Sequence, residues 1–370
     1  MKEEMNIKNM NVVNSYNEWD PLEEVIVGSV LGAGKMAFEP ALSPFYPLNS
    51  EERRFHGAKV AEKEVIEAQE QLDNFAKVLE NEGVIVRRPE VCDFCQPIKT
   101  PSFEVPFQNS SACPRDVLLV LGDEIIEAPM AQRARYFEYR AYRSLIKEYF
   151  KRGAKWTMAP KPTMSDELYT PNYSTENVYF DPVTHNSLTQ FEPCFDAATF
   201  VRCGKDIFYQ PDAVTNEFGA EWLQRHVGDK YRIHKMRFKD SHPEHLDTTL
   251  VPIRPGLVLT NPERPCLDGS IQLFKENNWE VVDAPASVRN PLGYSPEVSN
   301  WISMNILLLD VDKVIVEEKE EEVIKFFEKY GYKVITCPFD KVYKFGGGFH
   351  CCSSDIRRRG KLESYFPTLD

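Results

Sequence analysis

The sequence predicts an α/β fold in which a unit of about three strands and one helix is repeated, and the units close in a circle as in a propeller-like barrel. Two recurring patterns lead to this prediction. One is a helix followed by a glycine and a strand, and the other is a hairpin of two short apolar strands joined by a polar turn. A single unit of this kind cannot bury its apolar face, so stacking or circular closure is expected.

The pattern of helix, glycine and strand occurs five times. In the first copy, apolar residues recur at helical spacing over Ala61–Glu82, and Gly83 then separates this helix from a strand at Val84–Arg87. A short buried strand, Glu24–Gly28, precedes this copy. The other copies have their break at Gly153, at Gly228, at Asn277 with Asn278, and at Gly331.

The hairpin pattern occurs four times between these helices. Its strand pairs are 117–121 with 124–127, 199–202 with 207–209, 250–253 with 257–259, and 306–309 with 313–316. Asp116, Asp196 and Asp247 stand just before the first three hairpins, and Ser299 and Asn300 lie ahead of the fourth. If the units surround one axis, equivalent positions converge, so three carboxylates are expected at one mouth.

The segment Gly346–Arg359 supplies the candidate nucleophile. Its glycine run resembles a phosphate-binding loop but lacks the Gly-Lys-Ser/Thr ending of such loops. Glycines let a backbone turn sharply and approach a ligand closely, so the loop is expected to present Cys351. Phe349 and His350 are interpreted as supports of this loop, and Cys352 as a small buried side chain that faces away from the site.

A histidine precedes the third carboxylate by two positions. On an extended segment His245 and Asp247 face the same side, so both are expected in the mouth. Aspartates around a thiol raise its pKa unless a cation joins them, and a planar guanidinium suits this place because its forked donors meet carboxylates at two points. Attack of sulfur on the guanidinium carbon, with His245 carrying protons, predicts an amidino-cysteine that water or an amine resolves.

The composition of the chain argues against several other functions. The chain has 370 residues, 42% of them hydrophobic, and a formal net charge of −13, which disfavours nucleic acid and anionic membranes as partners. It has no apolar run of the length that a membrane span needs and no recognisable targeting segment, and its nine cysteines fit a reducing compartment, so a cytoplasmic location is expected.

Cys92 and Cys95 have a metal-like spacing without a second ligand pair, so no metal is expected there. Residues 1–13 are interpreted as a polar tail and residues 14–370 as a single domain.

Seven short segments are specific beyond these patterns, namely Pro114–Asp116, Glu124–Pro129, Phe137–Arg143, Gly153–Trp156, Phe191–Ala198, Asn261–Pro265 and Gly346–Cys351. Together they resemble the glycine amidinotransferase family, the arginine-dependent transferases of the pentein superfamily, over residues 13–366. The resemblance implies a five-bladed αβ-propeller (the pentein fold), one active site in each chain, no cofactor and a homodimer.

The resemblance also implies roles for single residues. Cys351 would be the nucleophile, His245 the acid and base, and Asp196 the carboxylate that orients the histidine and contacts the guanidinium.

Four further residues would bind the arginine donor on the same grounds. Asp116 and Asp247 would hold its guanidinium, and Arg264 and Ser299 would hold its α-carboxylate, a role that suits the forked donors of arginine.

Three positions depart from the family pattern. His242 stands where the glycine-using enzymes have asparagine, Glu244 where they have methionine, and Val298 replaces the first residue of a serine pair. An imidazole and a carboxylate beside the acceptor predict an amine other than glycine, with additional positive charge or hydrogen-bond donors, such as a diamine, an amino-sugar or a toxin precursor. Amidinotransferases of cyanobacterial toxin pathways are similar in having altered residues here, so a saxitoxin-type or cylindrospermopsin-type role is one expectation.

Three functions are compatible with these residues. The first is an L-arginine:amine amidinotransferase that releases ornithine. The second is a guanidino-group hydrolase of the same fold, such as an arginine deiminase, and the third is a non-catalytic arginine-binding protein.

Overall fold

The computed structural model describes residues 11–174, 186–240, 244–287 and 298–370. Strands in these ranges are short and follow the chain as β1 (Leu22–Val27), β2 (Gly34–Lys35), β3 (Ala58–Lys59), β4 (Ile85–Arg87), β5 (Ile98–Lys99), β6 (Glu104–Val105), β7 (Leu118–Leu121), β8 (Glu124–Glu127), β9 (Lys155–Met158), β10 (Val201–Cys203), β11 (Asp206–Tyr209), β12 (Arg232–Lys235), β13 (Leu250–Arg254), β14 (Leu257–Thr260), β15 (Glu280–Asp283), β16 (Leu307–Asp310), β17 (Lys313–Glu317), β18 (Lys333–Cys337) and β19 (Ser353–Arg358).

The helices lie between these strands. They are α1 (Glu62–Asn81), α2 (Pro114–Val117), α3 (Arg143–Lys151), α4 (Glu217–Val227), α5 (Gln272–Glu276) and α6 (Glu321–Lys329). No helix in the described ranges is long and apolar enough to cross a membrane.

One sheet topology recurs five times within the described residues. Each copy has three strands, in which an antiparallel pair is extended by a strand parallel to its second member. The sheets are β7–β8–β9, β10–β11–β12, β13–β14–β15, β16–β17–β18 and β19–β1–β4. In every copy a helix connects the second strand to the third, which confirms the predicted unit of three strands and one helix and gives a mixed α/β fold.

The local predictions for the units are confirmed in detail. Helix α1 spans Glu62–Asn81 within the predicted 61–82, and its apolar residues at helical spacing include the buried Ala68, Leu72, Phe75 and Leu79. Gly83 follows it with a left-handed φ of 85°. Asn278, interpreted as standing in for a glycine, has a φ of 62° and therefore adopts the same left-handed turn after α5.

The fifth sheet differs from the others because both ends of the chain build it. β1 pairs with β19 in antiparallel register, with Val27 opposite Ser353 and Leu22 opposite Arg358, and β4 adds on the other side of β1. No hairpin turn joins this pair, which is why the hairpin pattern occurs only four times in the sequence. Since β19 follows directly after Cys351 and Cys352, this sheet fixes one end of the thiol loop.

A buried ionic network connects this sheet to the rest of the fold. Arg202 on β10 bonds Glu18 Oε2 and Asp355 Oδ2 on β19, each at 2.8 Å, and Arg115 in α2 pairs with the same two carboxylates. Burial would raise the pKa of Glu18, but Arg202 and a hydrogen bond from His350 hold it well below its usual range. The charges are thus paired inside the protein, as buried charges must be.

Candidate active site

The loop that carries Cys351 depends on its glycines for close packing. A Cβ at Gly347 would lie 2.4 Å from the Cβ of Cys351, and one at Gly348 would lie 2.9 Å from the side chain and backbone of Asn305. Gly346 has a φ of 100°, in the left-handed region that glycine adopts without strain. Phe349 packs against the ring of Phe75 in α1 at a centroid distance of 5.2 Å, which anchors the loop to the core as expected of a support.

Cys351 is buried among polar groups. Its Sγ lies 3.1 Å from Nδ2 of Asn305 and 3.3 Å from Oδ2 of Asp247, and its backbone N–H donates to Oδ1 of Asn305. Burial, followed by the charges of Asp247 and Asp116, raises the pKa of this thiol well above its ordinary value, although His245 opposes the rise. These surroundings therefore favour the neutral thiol.

His245 reaches the same place by a different backbone geometry from the one predicted. Its φ is 58°, so the segment is not extended at this residue, and the argument from alternating faces is wrong here. The backbone N–H of His245 donates to Oδ2 of Asp212, which holds this turn. Its ring Nε2 lies 3.3 Å from Oδ2 of Asp196, and Nδ1 lies 3.8 Å from Oδ1 of Asp116. Burial alone would lower the pKa of His245, but the surrounding acids, Asp116 and Asp196 among them, raise it well above its usual value, which favours the imidazolium.

Asp116 and Asp196 each use one oxygen on the protein and leave the other open. Arg135 Nη2 lies 3.0 Å from Oδ2 of Asp116, and Nη1 lies 3.3 Å from Oδ2 of Asp196. Within the described residues, Oδ1 of both aspartates is buried without a hydrogen-bond partner. Two buried acceptors without donors are costly unless a ligand supplies the donors, which a planar guanidinium can do.

Asp247 ties the thiol to the supporting network. Its Oδ2 accepts from Nδ2 of Asn305 at 2.7 Å and lies 2.8 Å from Nδ1 of His350. His350 in turn has Nε2 3.2 Å from Oε2 of Glu18. Burial would raise the pKa of Asp247, but the contact with His350 lowers it, so this carboxylate is charged. His350 thus supports the loop, as predicted.

Arg264 and Ser299 lie together, as the sequence predicts. Nη2 of Arg264 donates to Oγ of Ser299 at 3.1 Å, Nη1 donates to Oγ1 of Thr249 at 2.8 Å, and Nε lies 3.0 Å from Oδ2 of Asp240. Burial lowers the pKa of Arg264, partly offset by Asp240. This group forms a polar cluster with guanidinium and hydroxyl donors suited to a carboxylate.

A pocket of about 70 Å³ is lined by His245 and by one of the three aspartates, Asp116. Asp116, Arg135 and His245 form one part of its wall, and Glu244 and Val298 form another, so two of the three positions that depart from the family pattern line this pocket. The third, His242, lies outside the described residues.

Two residues of the site were not identified from the sequence. Ser299 and Asn300 were the candidates for the converging position ahead of the fourth hairpin, but Ser299 contacts Arg264 and Asn300 is exposed. Asn305 takes this position instead, because it contacts both Asp247 and Cys351. Its place two residues before β16, like that of Asp116 before β7, could have revealed it. Arg135 gave no such signal, because nothing in its segment separates it from the neighbouring arginines.

Asp116, His245 and Cys351 also offer three metal-ligand atoms within 4.8 Å of one another. A metal would require a neutral imidazole and a thiolate. A bound cation would itself offset the acids that raise the pKa of Cys351, so the geometry alone admits a metal ion or an organic cation.

The relatives found by comparison with known proteins are named as amidinotransferases. No protein-family model matches the chain. The mitochondrial glycine amidinotransferase of Xenopus laevis is 48% identical over 369 residues, which cover 96% of this chain and 85% of the relative. The L-arginine:L-lysine amidinotransferase of Pseudomonas savastanoi pv. phaseolicola is 45% identical over 355 residues, which cover 95% and 96% of the two chains.

A solved structure agrees with this relationship. SxtG, an amidinotransferase from Microseira wollei in the saxitoxin biosynthetic pathway, superposes with a TM-score of 0.88 at 46% identity, over 96% of this chain and all of that one.

Proposed function

The chain belongs to the glycine amidinotransferase family of the pentein superfamily, and we propose that it transfers the amidino group of L-arginine to an amine other than glycine. In this reaction the amidino group is first bound covalently to Cys351, and ornithine is released. The observation that carries the proposal is a pair of buried oxygens that make no hydrogen bond, Oδ1 of Asp116 and Oδ1 of Asp196, beside the thiol of Cys351 and the ring of His245. These groups suit a guanidinium as ligand and a sulfur attack as chemistry.

Binding of arginine changes the charge around the thiol. The incoming guanidinium donates to the open oxygens of Asp116 and Asp196, and its positive charge offsets the acids that raise the pKa of Cys351. The thiol then loses its proton to solvent, and the thiolate is held by Nδ2 of Asn305. The substrate itself thus activates the nucleophile.

Transfer then takes place in two halves. The thiolate forms a bond to the amidino carbon, and the bond from that carbon to the δ-nitrogen breaks as the imidazolium of His245 gives that nitrogen a proton, so ornithine leaves. The acceptor amine next attacks the same carbon, neutral His245 takes a proton from it, and sulfur departs as the leaving group. Asp196 keeps the ring of His245 oriented throughout.

Residues that line the pocket support an acceptor other than glycine. Glu244 and Val298 stand in its wall where the glycine-using enzymes have methionine and serine, so the wall carries an additional carboxylate. A carboxylate favours an acceptor with further positive charge or hydrogen-bond donors, such as a diamine, an amino-sugar or a natural-product precursor. A 45% identical relative that is named for lysine supports an acceptor other than glycine.

The test separates the two halves of the reaction. Enzyme mixed with arginine alone should release one equivalent of ornithine and leave an amidino group on the Cys351 peptide, detected by mass spectrometry, and C351S should do neither. Absence of both products from the wild type would refute the proposal. Citrulline formed without any amine would instead establish a hydrolase. A panel of amines added to the amidino-enzyme then identifies the acceptor, and E244M should shift preference toward glycine.

We also propose that the five sheets are the five blades of an αβ-propeller around this site, and that the chain is a homodimer. The fivefold recurrence of one topology and the convergence of residues that precede β7, β10, β13 and β16 support the propeller. Light scattering on the purified protein should give twice the chain mass of 42.7 kDa, and a mass of one chain would contradict the dimer.

A further inference from the structure

Two acids of the site, Asp116 and Asp196, are held by a side chain to which the proposed reaction gives no role. We propose that this side chain, Arg135, is a positioning residue that fixes the orientation of both acids and balances their charge before arginine binds. The inference rests on the proposed function and adds the group that prepares its binding site. Arg135 is buried, and it lines the active-site pocket together with Asp116 and His245.

Arg135 and His245 each bridge the two acids. Nη2 of Arg135 lies 3.0 Å from Oδ2 of Asp116, and its Nη1 lies 3.3 Å from Oδ2 of Asp196. Nδ1 of His245 lies 3.8 Å from Oδ1 of Asp116, and its Nε2 lies 3.3 Å from Oδ2 of Asp196. The four side chains therefore form a closed ring in which acids alternate with bases. Neither carboxylate can rotate without losing a contact, so the oxygens that make no hydrogen bond keep their places for the substrate.

Glu138 fixes the plane of the Arg135 guanidinium. Nε of Arg135 lies 3.1 Å from each carboxylate oxygen of Glu138, and Nη2 lies 2.9 Å from Oε2. Since Nη1 and Nη2 also reach the two aspartates, all three nitrogens are engaged and the planar group has one orientation. A lysine has a single ammonium on a flexible stem, so it could not make these contacts at once.

Arg135 also contributes to the charge balance of the pair. Burial, followed by the charges of Asp196 and Asp247, raises the pKa of Asp116, and His245 and Arg135 oppose the rise. The other titratable groups near Asp116 are the buried Cys113, Glu138, Tyr142 and Cys351. A protonated Asp116 would lose the charge-assisted contact with the guanidinium of arginine. Removal of Arg135 should therefore weaken arginine binding most at low pH.

The first test removes the charge of Arg135. In R135Q the arginine concentration that half-saturates ornithine release should rise at least about tenfold at pH 7, because Asp116 loses a charge that lowers its pKa. An acid with a higher pKa is charged only at a higher pH, so the rising limb of the pH profile of kcat/KM should lie at least about one pH unit higher in R135Q than in the wild type. A purely structural role would not move this limb. The same limb in both proteins, or half-saturation within about twofold, overturns the inference.

The second test keeps the charge and removes the fork. R135K should retain the wild-type pH profile, yet its rate of ornithine release at saturating arginine should fall at least about tenfold, since one ammonium cannot orient both acids. A wild-type rate in R135K overturns the role of Arg135 in orientation. A pH profile shifted as in R135Q overturns its role in charge balance.

Arg232 offers a matched control outside the pocket. It also pairs with a buried carboxylate, with its Nε 2.8 Å from Oδ1 of Asp206. R232Q should lower the unfolding temperature and leave both the rate and the pH profile of ornithine release unchanged.

E138Q tests the same ring if R135Q and R135K do not fold. It retains Arg135 but weakens its hold, so ornithine release at saturating arginine should slow at least about fivefold. A wild-type rate in folded E138Q overturns the inference. Absence of ornithine release from the wild type would instead refute the proposed function, whereas release from the wild type together with unaffected variants refutes only the role of Arg135.

Discussion

Replacing Asp247 with asparagine separates the two effects that this carboxylate has on the site. Its Oδ2 lies 3.3 Å from the sulfur of Cys351 and also accepts from Asn305. Its negative charge opposes formation of the thiolate in the empty enzyme, and the same charge would attract the guanidinium of the donor. Asparagine has nearly the same shape and retains an oxygen, so the change removes charge with little change in packing.

The distance gives the size of the effect. Two unit charges 3.3 Å apart interact by about 5 kcal/mol at an effective dielectric constant of about 20. Part of this is offset by His350, whose Nδ1 lies 2.8 Å from the same oxygen. Even a third of that energy corresponds to about a tenfold change, so D247N should raise the rate at which iodoacetamide alkylates Cys351 at pH 7 by at least about tenfold.

The assay follows alkylation of the Cys351 peptide and release of ornithine in parallel. D247N should be alkylated faster than the wild type yet release ornithine more slowly, because the donor loses a charge-assisted contact. Fragmentation of the labelled peptide in the mass spectrometer distinguishes Cys351 from the adjacent Cys352, and D312N, at an exposed turn, serves as the matched control. Unchanged or slower alkylation in folded D247N would refute the electrostatic account of this thiol.

Three further predictions concern the loop and its surroundings. C352S should retain ornithine release within a few fold, since the sulfur of Cys352 lies 3.9 Å from that of Cys113, inside the protein; loss of release in C352S but not in C351S would reassign the nucleophile. G347A should lose at least about tenfold in kcat while its circular dichroism stays native, because the added Cβ would overlap Cys351. The control variant G331A, whose added Cβ would meet no atom within 4 Å, should lose only stability. Equal activity of both variants would contradict this. Burial lowers the pKa of Lys161 to about 8, so the charged lysine destabilises the fold most below that pH. The unfolding temperature of the wild type should therefore rise relative to that of K161M between pH 7 and 10. A constant difference between the two proteins would show that Lys161 titrates normally.

Local features of the chain were predictable because neighbouring residues determine them. The periodicity of α1 and the turn after it lie within one stretch, and the left-handed φ of Asn278 could be inferred from its place in the repeat. The convergence of Asp116 and Asp196 also followed from their equivalent positions, because a repeat relates distant segments without any knowledge of their contacts.

Features that depend on long-range partners were not predictable in this way. Arg135 acts through Asp116 and Asp196, which lie 19 and 61 positions away, and its own segment contains no sign of either contact. The positive φ of His245 is held by Asp212, so alternation along the local sequence led to an extended segment that does not exist. Asn305 was obscured by Ser299 and Asn300, which precede the same hairpin at a greater distance.

The pairing of β1 with β19 also determines when the site can assemble during protein synthesis. A chain leaves the ribosome from its N-terminus, so β1 must wait unpaired on one edge until residues 353–358 emerge and Ser353 meets Val27. Closing so long a loop is slow, and until it happens Cys351 has no fixed place among the acids that emerged earlier. A growing chain therefore holds Asp116, Asp196 and Asp247 before it holds the sulfur of Cys351, and the site is complete only when β19 is in place.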